Sequence, residues 1–92
     1  MASYGIILTP QAEADIERHK KNNPRHIKKI GQLVKSIKEN PESGIGKPEP
    51  LKGDMAGFWS RRIDHKHRLI YRVLVEELLI EIVSCYGHYG DK

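Results

Sequence analysis

With 92 residues the chain has room for one domain, spanning 1–92, and one modest core, and its single cysteine, Cys85, excludes an intrachain disulfide. Hydrophobic content of 38% and charge of 30% are ordinary for a soluble globular protein, and the apolar run Ile6–Leu8 is too short for a signal peptide or a bilayer span. A cytoplasmic protein without membrane contact is expected.

The net charge of +4 is unevenly spread. Residues 18–38 hold eight basic residues and no acid, and residues 46–72 hold seven basic residues against three acids. The remainder is acidic. Two basic segments on one small domain suit a polyanion, or else a solvated helix face.

In chain order, Tyr4–Leu8 ("YGIIL") reads as a buried strand. Thr9 and Pro10 start a helix, Thr9 as cap and Pro10 in the first turn. Its acids, Glu13, Asp15 and Glu17, come early and its bases, Arg18, Lys20 and Lys21, late, as a helix dipole favours. Its apolar face, Ala12, Ile16 and His19, is thin. Asn23 then reads as the N-cap and Pro24 as the first residue of a second helix ending at Glu39, before Pro41. Ile27, Ile30, Val34 and Ile37, with Leu33, form its core stripe. The stretch "ENPESGIGKPEP" reads as loop, because prolines and glycines break regular structure. Strands are predicted at about residues 57–64, 68–75 and 78–86, with a tight turn at Glu76–Glu77, a poor pair for a type I′ turn. This order predicts an α+β fold: a twisted antiparallel sheet with two N-terminal helices packed on one face, the other face left for binding.

Several side chains can carry chemistry. His65 and His67, two apart, would share a strand face and could join His88 in a three-histidine site. Lys66 and Arg68 crowd that pair and no acidic cluster accompanies it, so no metal and no cofactor is expected. Cys85 lies in an apolar run and reads as core. Arg61 and Arg62 can pair with Asp64 or Glu81 as a surface network. Glu49 stands between Pro48 and Pro50, which hold it extended, with Lys47 and Lys52 beyond them. Glutamate, histidine and arginine together suit metal-free cleavage of RNA. A base takes the 2′-hydroxyl proton, an acid protonates the departing 5′-oxygen, and a cation stabilises the phosphoryl oxygens. Glu49 as base, His88 as acid, Arg68 as clamp and Tyr89 as an orienting group fill these roles. The plain alternatives are a solvated linker carboxylate and a surface histidine.

The stretch "GKPEPLKGDMAGFWSRRIDHKHRLIYRV", followed by "LLIEIVSCYGHY", resembles the YoeB/Txe group of bacterial toxins within the RelE superfamily, nearly continuously from Gly46 to Tyr89. Residues 1–40 resemble that group mainly in their strand–helix–helix layout and lysine-bearing second helix. The resemblance implies a RelE-like, microbial-ribonuclease-type fold. It implies the toxin of a type II toxin–antitoxin system: a ribosome-dependent, metal-free endoribonuclease cutting mRNA in the A site. The implied partners are mRNA, the 70S ribosome and a YefM/Axe-like antitoxin, with operon DNA bound only through the antitoxin complex; the toxin can also form a homodimer. The implied catalytic residues are Glu49, Arg68, His88 and Tyr89. Lys52 and Arg62 match RNA-contacting positions, and Lys28, Lys29 and Lys35 on the second helix are expected to meet ribosomal RNA. The alternatives are an inactive RelE-like module that only binds RNA or antitoxin, and a ribonuclease that needs no ribosome. Two departures stand out: Tyr86 replaces a basic residue usual two positions before the histidine, and Gly90–Lys92 extend past the usual terminal tyrosine.

Overall fold

One strand, two helices and four further strands follow one another in a computed structural model that describes residues 3–87. Gly5–Leu8 forms β1, Pro10–Asn22 forms α1 and Arg25–Glu39 forms α2. Glu49–Pro50, Trp59–Arg62, Arg68–Leu74 and Leu79–Ser84 form β2 to β5. The strands make one sheet in the order β1-β5-β4-β3-β2.

Local chemistry sets these boundaries. The Thr9 hydroxyl accepts from the Ala12 N–H at 3.0 Å and donates to the Val83 carbonyl at 2.7 Å, so one side chain caps α1 and ties it to β5. Val83 is the extra residue of a β-bulge, since Ile70 faces Ser84 while Tyr71 faces Ile82. Asn23 does not cap α2 as expected. Its N–H closes α1 on the His19 carbonyl at 2.7 Å, and α2 begins at Arg25 with no side-chain cap bond. The sharp link between the helices uses the Asn23 backbone for both: its carbonyl accepts from His26 at 2.8 Å.

Ile30, Leu33 and Ile37 of α2 pack with Ala12 of α1 against Leu69 and Tyr71 of β4 and Ile80 and Ile82 of β5. Both helices therefore cover one sheet face, as expected. The sheet is mixed rather than wholly antiparallel, because β1 runs parallel to β5. The chain leaves β1 through both helices and returns as antiparallel strands, and the free edge of β5 offers β1 that direction. The four-residue β4–β5 loop avoids a Glu-Glu type I′ turn by placing Leu78, not a glutamate, in the left-handed region at φ 56°. No helix among the described residues is long and apolar enough to cross a membrane.

Candidate active site on the open sheet face

Strand register decides which side chains meet. Residues directly opposite on paired strands point to the same face, and alternate residues along a strand share a face. Glu49 is opposite Ser60, Ser60 opposite Ile70, and Arg62 opposite Arg68. Leu69 and Tyr71 face the helices, so Arg68, Ile70 and Arg72 face away from them, together with Ser60, Arg62 and Glu49. Glu49 and Arg68 are two strands and two residues apart, or about 12 Å between Cα atoms by ideal spacings. Long side chains from both ends leave room between them for a phosphate.

A two-residue strand, β2, presents Glu49 where the composition predicts loop. Prolines are tolerated there because β2 is the sheet's edge. Leu51 N–H adds a bond to the Phe58 carbonyl at 2.8 Å. Glu49 and Arg62 are exposed, and so is Lys52, which caps the short helical turn Gly53–Met55. Arg68 is half-buried, and its Nη1 donates to the carbonyls of Asp64 at 2.8 Å and His67 at 3.3 Å. Arg72 is less available, since its Nε donates to Glu81 at 2.7 Å.

The turn before β4 anchors the end of the chain. Asp64 Oδ1 accepts the N–H groups of Lys66 and His67. Partial burial pushes the Asp64 carboxyl up, but these two donors and the nearby histidines outweigh it and hold it below the usual carboxylate range. Burial lowers His67 against the pull of Asp64. Gly87 N–H donates to His67 Nδ1 at 2.9 Å, and the Gly87 carbonyl accepts from Arg68 N–H at 2.8 Å. Gly87 is thus tied at both backbone groups, one residue before His88. His88 and Tyr89 lie outside the described residues.

His65 and His67 do not share a strand face. Both fall in the β3–β4 connection, His65 exposed and His67 buried, because the Asp64 turn breaks the alternation the spacing assumed. At Tyr86, the Arg18 guanidinium stacks over the ring at 3.7 Å, so α1 supplies a cation at a position whose sequence lacks one. Lys28 and Lys35 are exposed on the ridge of α2 opposite Ile30 and Ile37, and Lys29 is half-buried on its flank. These three do not join Glu49, Arg62 and Arg68, because the core lies between them.

Two buried charged side chains escaped the sequence reading. Asp15 is 1% exposed and accepts from Cys85 N–H at 2.9 Å and from Gln11 at 2.7 Å. Arg61, expected in a surface network, is fully buried, with its donors directed at Tyr71, Ser36 and the carbonyls of Asn40, Ser43 and Ile45. The signal was present: Trp59 and Ile63 point inward, and Arg61 lies between them at a spacing of two. Cys85 is core, as expected, and burial pushes its thiol up to about 12. Iodoacetamide at pH 8 should therefore alkylate the native protein roughly a thousandfold or more slowly than the denatured one, followed by mass spectrometry.

Comparison with known proteins places the chain. A family profile described as "YoeB-like toxin of bacterial type II toxin-antitoxin system" matches residues 8–89. The chain belongs to the YoeB toxin family. It is 47% identical over 84 residues to "Toxin YoeB" of Synechocystis, covering 91% of this chain and 95% of that one. A heterotetrameric YoeB–YefM complex from Staphylococcus aureus contains a chain that superposes with a TM-score of 0.82 at 45% identity, covering 96% of this chain and all of that one. A YoeB dimer from the same organism gives 0.83 at 45% identity over 96% of this chain and 100% of that one. The α+β RelE-like architecture expected from the sequence is the one observed.

Proposed function

We propose that this YoeB-family toxin is a metal-free endoribonuclease that cuts mRNA in the ribosomal A site. The observation that supports this reading is that Glu49, Arg62 and Arg68 share, in register, the sheet face turned away from the helices. Glu49 takes the 2′-hydroxyl proton, and the 2′-oxygen attacks the adjacent phosphorus. The bond to the 5′-oxygen breaks, leaving a 2′,3′-cyclic phosphate. His88 protonates the leaving oxygen and Tyr89 orients it or the phosphate. Arg68 and Arg62 face the negative charge that grows on the phosphoryl oxygens, with Lys52 near the edge strand. Side chains fill every role, so the reaction as written uses no metal. Only RNA supplies the attacking hydroxyl.

Glu49 is exposed on an edge strand, which does little to position RNA. The ribosome would hold the message in line, which accounts for ribosome dependence. The decisive experiment is a toeprint of mRNA with and without ribosomes. A cut only on translated mRNA is expected. No cut would leave a binding module, and a cut in naked RNA a ribosome-independent nuclease.

By analogy with the S. aureus complex, a YefM-like antitoxin is the expected neutralising partner, and operon DNA would be met only through it; a homodimer follows from the same organism's YoeB dimer. Lys28, Lys29 and Lys35, across the core from Glu49, are the proposed contacts to ribosomal RNA phosphates. Reversing Lys28 and Lys35 to Glu should make the log–log salt dependence of ribosome binding shallower by roughly 1.4–1.8, at one phosphate contact per lysine. An unchanged slope in a filter-binding titration would exclude this contact.

A further inference from the structure

His26, Asp64 and His67 converge where α2 begins beside the β3–β4 connection that leads into Arg68. His26 Nε2 lies 3.2 Å from Asp64 Oδ2. One ligand atom from each of the three residues lies within 4.8 Å of the other two. They border an open cleft with Asn22, Lys66 and Tyr86, so an ion can reach them.

Hydrogen bonds fix where the protons sit. His19 is fully buried, with Nε2 2.6 Å from the Cys85 carbonyl, which can only accept. His19 Nε2 therefore carries a proton, and in the neutral ring Nδ1 is a bare lone pair. His26 Nδ1, 3.3 Å away, donates to it. That leaves His26 Nε2 bare in its neutral ring. It faces Asp64 Oδ2, whose sister oxygen Oδ1 takes both backbone donors of the turn. Two acceptors face each other, and either a proton on His26, which makes an ion pair with Asp64, or a bound cation satisfies both.

Zinc–nitrogen and zinc–oxygen bonds of about 2.0–2.1 Å set tetrahedral ligand atoms about 3.3 Å apart, close to the His26–Asp64 separation. His26 is oriented through its second nitrogen by His19, and Asp64 by two backbone N–H groups, the outer support that metal ligands require. Two imidazoles and one carboxylate favour a borderline ion such as Zn²⁺ over Mg²⁺ or Ca²⁺. The geometry points to a zinc-class site formed by His26, Asp64 and His67, with water completing the coordination, whose occupancy frees the Gly87 N–H while its carbonyl stays bonded to Arg68. Lys66 in the cleft opposes a cation, so the affinity falls below that of a closed structural zinc site.

The release follows from either nitrogen of His67. Ligation through Nδ1 takes the lone pair that now accepts the Gly87 N–H at 2.9 Å. Ligation through Nε2 leaves the ring proton on Nδ1, and two N–H groups then face each other. In both cases Gly87 N–H loses its acceptor, next to His88. The ion takes no part in the cleavage step as written, and metal uptake does not rest on the proposed function.

Untagged full-length protein, stripped with a chelator, is titrated with zinc in competition with a chromophoric chelator. One equivalent is expected, weakened roughly tenfold or more in His26→Ala and in Asp64→Asn and unchanged in His65→Ala. Asp64→Asn keeps an oxygen at Oδ1 to close the turn, so it removes the ligand and spares the fold. In the wild type, saturating zinc should accelerate hydrogen exchange at the Gly87 amide. No uptake, or uptake undiminished in both variants, overturns the site. Loss in His65→Ala with retention in His26→Ala reassigns the ion to the surface and overturns it equally. Zinc uptake with an unchanged Gly87 amide overturns the release.

Discussion

Glu49→Gln is expected to reduce cleavage of translated mRNA by roughly 10²–10⁴-fold, the range for a positioned general base, with the melting temperature unchanged. The second half decides the meaning of the first. Glu49 is exposed on a two-residue edge strand and holds Ser60 through its backbone, which Gln preserves. A surface change of this kind costs within about 0.5 kcal/mol. Arg68→Lys keeps the positive charge but loses the planar fork that can hold a carbonyl with one nitrogen and a phosphate with another. It should cost roughly 10²–10³-fold, as loss of one transition-state donor does. Since Arg68 Nη1 also braces the Asp64 turn, some stability is lost with it. Quantitative toeprinting over time, with thermal unfolding of each variant, separates the effects. Cleavage within a few-fold of wild type in Glu49→Gln would remove Glu49 from the base role. If the residue instead orients the 2′-hydroxyl, Gln retains a hydrogen-bonding oxygen, and Glu49→Gln should be far milder than Glu49→Ala.

Much of this architecture is legible in the sequence where hydrophobic period and local capping agree. The Ile30–Leu33–Ile37 stripe and the Thr9–Pro10 start need no tertiary information. The pairing of Glu49 with Arg62 and Arg68 on one face follows once the strands are in register, but the register itself is set by distant contacts. β2 was illegible because two residues among prolines and glycines carry no period; β3 and the loop before it impose the strand. Gly46 shows how closely that loop packs: it has φ 83°, its carbonyl accepts from Arg62 N–H at 2.7 Å, and an added Cβ would lie 2.6 Å from Leu33 Cδ2. The histidine cluster was missed for a related reason. His19, His26 and His67 come from two helices and a turn, and their sequence separation hides ring centroids 4.9–5.6 Å apart. Charge counting misled most at Arg61 and Asp15, since a charged residue is read as exposed unless its strand or helix face is considered first.

Arg61→Ala should be the most destabilising single substitution among those considered, because the guanidinium organises a loop that has no regular structure of its own. Nε bonds Tyr71 Oη at 3.1 Å, Nη1 bonds Ser36 at 2.8 Å and Ile45 O at 3.1 Å, and Nη2 bonds Asn40 O at 2.7 Å and Ser43 O at 2.8 Å. Every N–H of the side chain has an acceptor. Tyr71 extends the network to the Pro41 carbonyl at 2.5 Å. Removing the guanidinium orphans the buried Tyr71 hydroxyl and four part-buried acceptors at up to roughly 1–3 kcal/mol each, and water entering the space recovers part of that, for a net loss of about 3–5 kcal/mol. A chain of this length has about 5–14 kcal/mol in total, and each kcal/mol is worth about 4–8 °C, so the melting temperature should fall by at least about 12 °C. Arg61→Met separates the causes. It refills the volume without donors, so a loss close to that of Ala assigns the effect to hydrogen bonds, and a near-native Met variant assigns it to packing. Arg61→Lys has three donors for five acceptors and should fall between. The loop it holds leads directly into Glu49, so cleavage by Arg61→Lys, measured well below its melting temperature, should drop further than its folded fraction. Equal activity per folded molecule would show that the loop's anchor and the catalytic carboxylate are independent.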